Sequence, residues 1–188
     1  MRLLDSPLYY ADLKKAVGST DLSSLDERSF FITGGLGLIA SAIVDVLLAY
    51  GRTGVIYVGA RNKAQFEKRY GNLEKVCFVS YDALKPLELD IVPDYIIHGA
   101  GLASPELYAS MPVETVLSNI DGIRELLHFA KDNLVRRVLY ISSSEVYGKK
   151  STEEPFVEGK YGEIDIDNIR SSYAIAKRAS EMICKAYT

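Results

Sequence analysis

The chain has 188 residues, 48% of them hydrophobic and 25% charged, with a net charge of −3, values that suit one sizeable globular domain. That charge supplies no basic stripe for nucleic acid, the apolar run at 36–50 is broken by Asp45 and too short to span a membrane, and residues 1–5 lack the apolar core of a secretion signal. Cys77 and Cys184 show no metal-ligand spacing and read as free thiols in a reducing compartment, so no metal is expected and the cytoplasm is the expected location.

Residues 1–28 read as a helical extension, in which Ser6-Pro7 followed by Leu8, Tyr9, Leu13 and Val17, with Gly18 after, predicts a short capped helix. A buried strand is predicted over 29–33, then a Gly-rich turn, then a helix over 38–50 closed by Gly51. Strands follow at 55–58, 76–80 and 95–98, with a polar helix over 61–70 between the first two. The spacing of Val116, Ile120, Ile123, Leu127 and Ala130 predicts an amphipathic helix over 113–131, with that face apolar. A fifth strand is predicted over 135–142, a polar loop over 149–169 and a last helix over 171–186. Strands alternating with helices in this order predict an α/β fold, a Rossmann-type doubly wound parallel sheet flanked by helices, over residues 29–188. The chain stops at a helix where such a sheet normally continues, so a C-terminal substrate domain is expected to be missing.

The turn Gly34-x-x-Gly37-x-x-Ala40 lies between a predicted strand and helix, where glycines allow the backbone close to a pyrophosphate. Amide groups at Gly37, Leu38 and Ile39, with the helix dipole, would stabilise its charge; the alternative is a tight turn without a ligand. The second strand is expected to end in a carboxylate that bonds ribose hydroxyls, but Gly59 stands there. Arg61 is then free to pair with a 2′-phosphate, which leans toward NADP without excluding NAD, or it simply opens a solvated helix. Asp82 follows the third strand and is either an adenine contact or a helix cap. His98 is expected to be a structural hydrogen-bonder, and Tyr147 a packing residue or ribose contact.

The pattern Tyr-x-x-x-Lys occurs at Tyr10/Lys14, Tyr81/Lys85 and Tyr173/Lys177, and only the last follows a hydroxyl-rich strand end, Ser142-Ser143-Ser144-Glu145-Val146-Tyr147-Gly148. Together with Thr33-Gly34-Gly35-x-Gly37, Asp82, Ile97-His98-Gly99-Ala100-Gly101 and Asn119, these residues resemble the extended short-chain dehydrogenase/reductases, within them the nucleotide-sugar epimerase/dehydratase/decarboxylase group. The segments Ser104-Pro105-x-x-Tyr108-x-x-x-Pro112-Val113-Glu114-Thr115 and Ser144-Glu145-Val146-Tyr147-Gly148 look closest to UDP-glucuronate decarboxylases. The sequence departs from the family pattern at Gly59 and at Ala40, where glycine is usual. The resemblance implies cofactor contacts at Gly34, Gly37, Leu38, Ile39, Arg61, Asp82, Ala100, Gly101, Asn119, Ser142, Tyr173 and Lys177, with Asn119 holding a water and the active-site helix. It also implies a homodimer through helices 113–131 and 171–186.

The chemistry expected of these groups is redox-neutral. A free phenol titrates near about 10, so Tyr173 as general base needs the Lys177 ammonium and a nicotinamide ring to favour its phenolate. Ser143 would bond the substrate hydroxyl. Once a sugar C4 is a ketone its C5 position is acidified, and Glu145 would remove the C5 proton or steer loss of a C5 carboxylate as CO2. Ser144 stands where typical sugar dehydratases carry an aspartic acid, which tilts the expectation toward decarboxylation. The expected function is thus modification of a nucleotide sugar through a transient 4-keto sugar; the alternatives are an NADPH-dependent carbonyl or 4-ketosugar reductase and a catalytically silent cofactor-binding fragment.

Overall fold

The structure, a computed structural model, describes residues 5–71 and 73–188. The expectations for residues 1–4, including the start of the extension and the reading of the N-terminus, lie outside the described residues. The chain separates into two compact units. The first takes the residues up to Asp82, with Leu89–Gly99 and Asn133–Leu139; the second takes Ala83–Glu88, Ala100–Asp132 and Tyr140–Thr188.

The strands are β1 (Phe30–Thr33), β2 (Ile56–Ala60), β3 (Val76–Ser80), β4 (Tyr95–His98) and β5 (Arg137–Tyr140). Among the described residues they form one sheet in the order β3-β2-β1-β4-β5, with β1 parallel to both β2 and β4. All four residues of the central β1 are buried, which is why Phe30-Phe31-Ile32-Thr33 reads as an unbroken apolar run rather than an alternating one. The order reverses between β1 and β4, so Thr33 and His98 end the two strands at the switch point, side by side in register. Strand β2 runs two residues beyond the predicted 55–58, and β5 is shorter than the predicted 135–142.

The helices of the first unit are α1 (Pro7–Gly18), α2 (Leu38–Tyr50) and α3 (Lys63–Tyr70). Helix α2 ends as expected, because Gly51 adopts a left-handed conformation and its N–H donates to the Leu47 carbonyl. Helix α3 begins two residues later than predicted, since Asn62 is its cap and accepts from the Gln65 N–H at 2.9 Å. A polar network joins all three. The Asp45 side chain, fully buried on α2, accepts from Tyr9 Oη of α1 at 2.8 Å, Arg69 Nη2 of α3 at 2.5 Å and Tyr70 Oη at 3.3 Å. Lys14 Nζ adds a 2.9 Å bond to the Ala49 carbonyl, which accounts for the Tyr10/Lys14 pattern as a structural one.

The helices of the second unit are α4 (Pro105–Ser110), α5 (Pro112–Asp132) and α6 (Ser172–Ala186). The sequence reading missed α4, although Ser104-Pro105 is a start signal and Ser104 Oγ accepts from the Leu107 N–H at 3.3 Å. The buried stripe of α5 matches expectation at Ile123, Leu127 and Ala130 but differs in its first half, where Thr115, Ser118, Asn119 and Gly122 are buried and Val116 and Ile120 are half-buried. Small and polar residues let α6 approach closely, and Ser180 Oγ donates across the contact to the Asn119 carbonyl at 3.1 Å. Helical periodicity of apolar residues is blind to such a face.

Removing one partner of a buried ion pair costs more than removing a neutral donor. Asp45→Ala is expected to lower stability by about 3 kcal/mol and Tyr9→Phe by about 1 kcal/mol in urea unfolding followed by circular dichroism.

Candidate active site

The Gly-rich turn is built from the end of β1. Gly34 has φ +67°, its N–H donates to the Gly59 carbonyl at 2.8 Å, and its own carbonyl accepts from the Gly37 N–H at 2.8 Å. A Cβ on Gly35 would stand 2.8 Å from Val58 Cγ1, so the backbone lies against β2 as closely as glycine permits. Gly37 caps α2 without a side-chain bond, and Leu38 and Ile39 beside it are 90% and 61% exposed. This is a helix N-terminus open on its outer side, of a shape that suits a pyrophosphate, but the Gly37 amide expected to be free is bonded to the Gly34 carbonyl, which leaves that role to the amides of Leu38 and Ile39. Ala40 is buried, so its methyl group, in place of the usual glycine, is absorbed by packing.

Gly59 lies within β2, opposite Thr33, rather than at the strand end. A Cβ there would meet the Phe31 ring at 2.9 Å and Tyr81 Cβ at 3.2 Å, so the position expected to hold an acid cannot hold any side chain without displacing an aromatic. Arg61 is exposed beyond the strand end and Asp82 is half-buried. Thr33 Oγ1 and His98 Nδ1 are 2.7 Å apart and buried, as the structural reading of His98 expected.

The second unit brings Ser142, Ser143, Glu145, Tyr173 and Lys177 together. Residues Ser144–Tyr147 form a single 3-10 turn capped by Ser143, whose Oγ accepts from the Glu145 N–H at 3.3 Å. Tyr173 and Lys177 lie one turn apart on α6, both buried. Lys177 Nζ donates to the Ile141 carbonyl at 2.8 Å and lies 4.5 Å from the Tyr140 ring centroid and 5.8 Å from that of Tyr173. Burial lowers the Lys177 pKa to about 8, against the opposing pull of Cys184 and Glu181. The Tyr173 phenol is raised above its ordinary value, first by burial; the Ser143 hydroxyl bonded to it lowers it, and the Glu145 charge raises it again. The expected depression by Lys177 is therefore not seen here, because the ammonium is directed to a carbonyl and to Tyr140. Asn119 is fully buried, with Nδ2 donating to the Thr115 carbonyl at 2.8 Å. Its Oδ1 has no partner among the described residues, and a Cβ on Gly101 would stand 2.9 Å from it. Such an unmet buried acceptor suits the water-holding role expected of Asn119.

Several neighbours escaped the sequence reading. The Tyr108 ring stacks on Tyr173 at 5.3 Å and 15°, and the exposed Arg170 guanidinium lies 5.9 Å over Tyr108. Arg170 and Glu145 line one pocket with Asn168 and Ala174. Ser142 Oγ donates to Glu181 Oε1 at 2.5 Å. Arg178 binds the Val146 carbonyl at 2.9 and 2.6 Å through Nε and Nη2, and the Gly162 carbonyl at 3.2 Å. Tyr147 is a packing residue: its ring stacks between Phe156 and Tyr161, and its hydroxyl donates to Glu158 at 2.6 Å. Only the i+4 and i+5 spacing of Glu181 and Arg178 from Lys177 and Tyr173 hinted at these contacts. Among the described residues no group of three or more His, Cys, Asp or Glu side chains could hold a metal ion, and no helix is long and apolar enough to cross a membrane.

A switch-point parallel sheet with a Gly-rich turn in the first unit and, in the second, a serine turn and a helix bearing Tyr173 and Lys177 are features of α/β proteins of the reductase-epimerase kind. Residues 30–188 match the NAD dependent epimerase/dehydratase family, and the chain belongs to that family. It is 31% identical over 170 residues to UDP-glucuronic acid decarboxylase 1 of Danio rerio, covering 88% of this chain and 39% of that protein. It is 32% identical over 160 residues to UDP-glucuronic acid decarboxylase 2 of Arabidopsis thaliana, covering 83% of this chain and 34% of the relative. Among solved structures it resembles the UDP-N-acetylglucosamine 4-epimerase of Methanobrevibacter ruminantium M1 in complex with UDP-N-acetylmuramic acid (TM-score 0.72, 27% identity, 86% of this chain and 51% of that one). A second neighbour is DesIV, a dTDP-glucose 4,6-dehydratase from Streptomyces venezuelae with NAD and TYD bound (TM-score 0.72, 26% identity, 85% and 51%). The chain thus spans less than half the length of these curated relatives.

The depressed Lys177 predicts a specific pH dependence of stability. Below pH 8 the amine is protonated in both states and the folded state bears the full cost of burying the charge. Between about 8 and its ordinary 10.5 the unfolded chain holds more protons, so stability rises with pH. Above 10 the raised Tyr140 and Tyr173 phenols reverse the trend, since they ionise more readily unfolded. Urea midpoints from pH 7.5 to 9.5 are expected to climb in the wild type relative to Lys177→Met.

Proposed function

We propose that this protein binds a nicotinamide dinucleotide and modifies a nucleotide sugar through a transient 4-keto sugar, with decarboxylation of a UDP-sugar acid as the preferred outcome. The observation that carries the reading is the convergence on one phenol: Tyr173 is hydrogen-bonded by Ser143 and feels the charge of Glu145. Those are a base, a hydroxyl holder and a second acid/base around one reacting centre. The decarboxylase names of the sequence relatives support the choice of substrate class.

When bound, the dinucleotide would supply the hydride acceptor and donor; the amides of Leu38 and Ile39 would hold its pyrophosphate, the Gly37 N–H being bonded to the Gly34 carbonyl. Tyr173 Oη takes the C4 hydroxyl proton, and Ser143 Oγ orients that hydroxyl by hydrogen bonding. Lys177, charged below about pH 8, does not lower the Tyr173 phenol while it is bonded to the Ile141 carbonyl, and would favour the phenolate together with the positive nicotinamide ring of the bound dinucleotide. Glu145, exposed on its turn, stands ready as the second acid/base at C5. Arg170, cationic and in the pocket of Glu145, is suited to pairing with a sugar carboxylate. The protein is read as a cytoplasmic homodimer, a reading supported by exposed Val113 and Leu117 on α5 and Met182 on α6, and tested by light scattering at twice the chain mass.

A second reading, a one-way NADPH-dependent 4-ketosugar or carbonyl reductase, is favoured by the crowding at Gly59, which leaves no acid to repel a 2′-phosphate, and by exposed Arg61.

The full-length protein is expected to convert UDP-glucuronate with release of CO2 and no net change in absorbance at 340 nm. Tyr173→Phe should reduce turnover by at least about 100-fold, and Arg170→Ala should raise KM about tenfold. Full turnover by Tyr173→Phe would defeat the assignment; stoichiometric NADPH consumption would favour the reductase, and cofactor binding without sugar affinity the silent fragment. In calorimetric titration NADP is expected to bind no more weakly than NAD, with Arg61→Ala weakening NADP alone about tenfold.

A further inference from the structure

Tyr173, Lys177 and Glu181 succeed one another at intervals of four on α6, so the three side chains share one face. The first two belong to the reading above, on which this inference rests; Glu181 has no part in it. Glu181 is half-buried, accepts a 2.5 Å bond from Ser142 Oγ, and lines a cavity of about 390 Å3 with Ser142, Ser143, Tyr147 and Tyr161. It is thus in contact with the serine run one residue before the proposed catalytic hydroxyl and next in line on the helix to the proposed catalytic amine.

We propose that Glu181 is the positioning residue behind the Tyr173/Lys177 pair, anchoring the serine run through Ser142 and supplying the counter-charge that keeps the Lys177 amine an ammonium.

The surroundings of Lys177 single Glu181 out. The titratable groups facing it are Tyr140 from β5, and Tyr173, Glu181 and Cys184 from α6. Both tyrosines are raised and stay neutral at neutral pH. Cys184 is raised too, by burial first and then by Glu181 itself, so it is a neutral thiol in the range where Lys177 titrates. Although the thiol opposes the lowering of Lys177 more strongly than Glu181 when ionised, it carries no charge under those conditions. A carboxylate is then the one lasting negative charge in this set. The Ile141 carbonyl and the Tyr140 ring contribute dipole and quadrupole only.

The test reads protonation directly and needs no substrate or cofactor. The side-chain 13Cε resonance of Lys177 is followed from pH 6 to 10 in uniformly 13C-lysine-labelled protein, with Lys177→Arg identifying the signal by its loss. The wild-type midpoint is expected near 8. Glu181→Gln and Glu181→Met are each expected to lower it by about one unit, while Glu181→Asp and Cys184→Ser leave it within about 0.3 unit. Near-UV circular dichroism selects the folded variants, and Glu181→Met keeps volume and helix propensity should the amide variant misfold. An unchanged midpoint in the folded neutral variants, or an equal drop in Cys184→Ser, would overturn the proposal. Because turnover is not measured, such a result leaves the assignment of Tyr173 as base standing, and an inactive chain leaves the titration interpretable.

Discussion

A positive charge taken out of water must be met by something, and α6 meets two of them with backbone carbonyls. Lys177 is tied to the carbonyl of Ile141, and Arg178 to those of Val146 and Gly162. These bonds bracket the serine run: one ends the segment leaving β5, another closes the 3-10 turn, and the last fixes the loop that follows. The direction in which Ser143 and Glu145 are presented is therefore set by cations on the neighbouring helix more than by the run's own sequence. Burial on the same helix lowers Lys177 to about 8 and raises the Tyr173 phenol, so both groups favour their neutral forms.

In the first unit the governing constraint is space. The Gly59 carbonyl holds the Gly34 amide while its α-carbon lies against Phe31 and Tyr81, so one residue both shapes the Gly-rich turn and forbids a side chain near the end of β2. A carboxylate is excluded there by what cannot fit, since Phe31 and Tyr81 pack edge to face against the position.

Much of the fold was legible because strands and helices here announce themselves locally. The bounds of α2, β3 and β4 coincide with the predicted ones, and the buried β1 was visible as an apolar run before a Gly-rich turn. What stayed hidden depended on distant partners. The close α5–α6 contact is made by Ser180 and the Asn119 carbonyl, to which hydropathy gives no weight. Helix α4 is a single short turn-and-a-half with a clear cap and too few residues to show a period. In the candidate site, Ser143, Glu145, Tyr173 and Lys177 are brought together as the motif spacing suggested, but Tyr108, Arg170 and Glu181 join them through ring stacking, pocket lining and a single hydroxyl contact, none of which has a fixed spacing in sequence. Arg61 remains exposed, and its part rests on a ligand rather than on a neighbour in the fold.

The network around Asp45 bears on where the domain begins. The family match starts at residue 30, yet Tyr9 and Lys14 of α1 reach across to α2, one to a carboxylate with no access to water and the other to a main-chain carbonyl. A recombinant version trimmed to the homologous boundary would uncover that carboxylate together with the apolar flank of the helix whose first turn forms the phosphate cradle. Sequence homology and mechanical integrity therefore draw the border in different places, and helix α1 falls on the inside of the second.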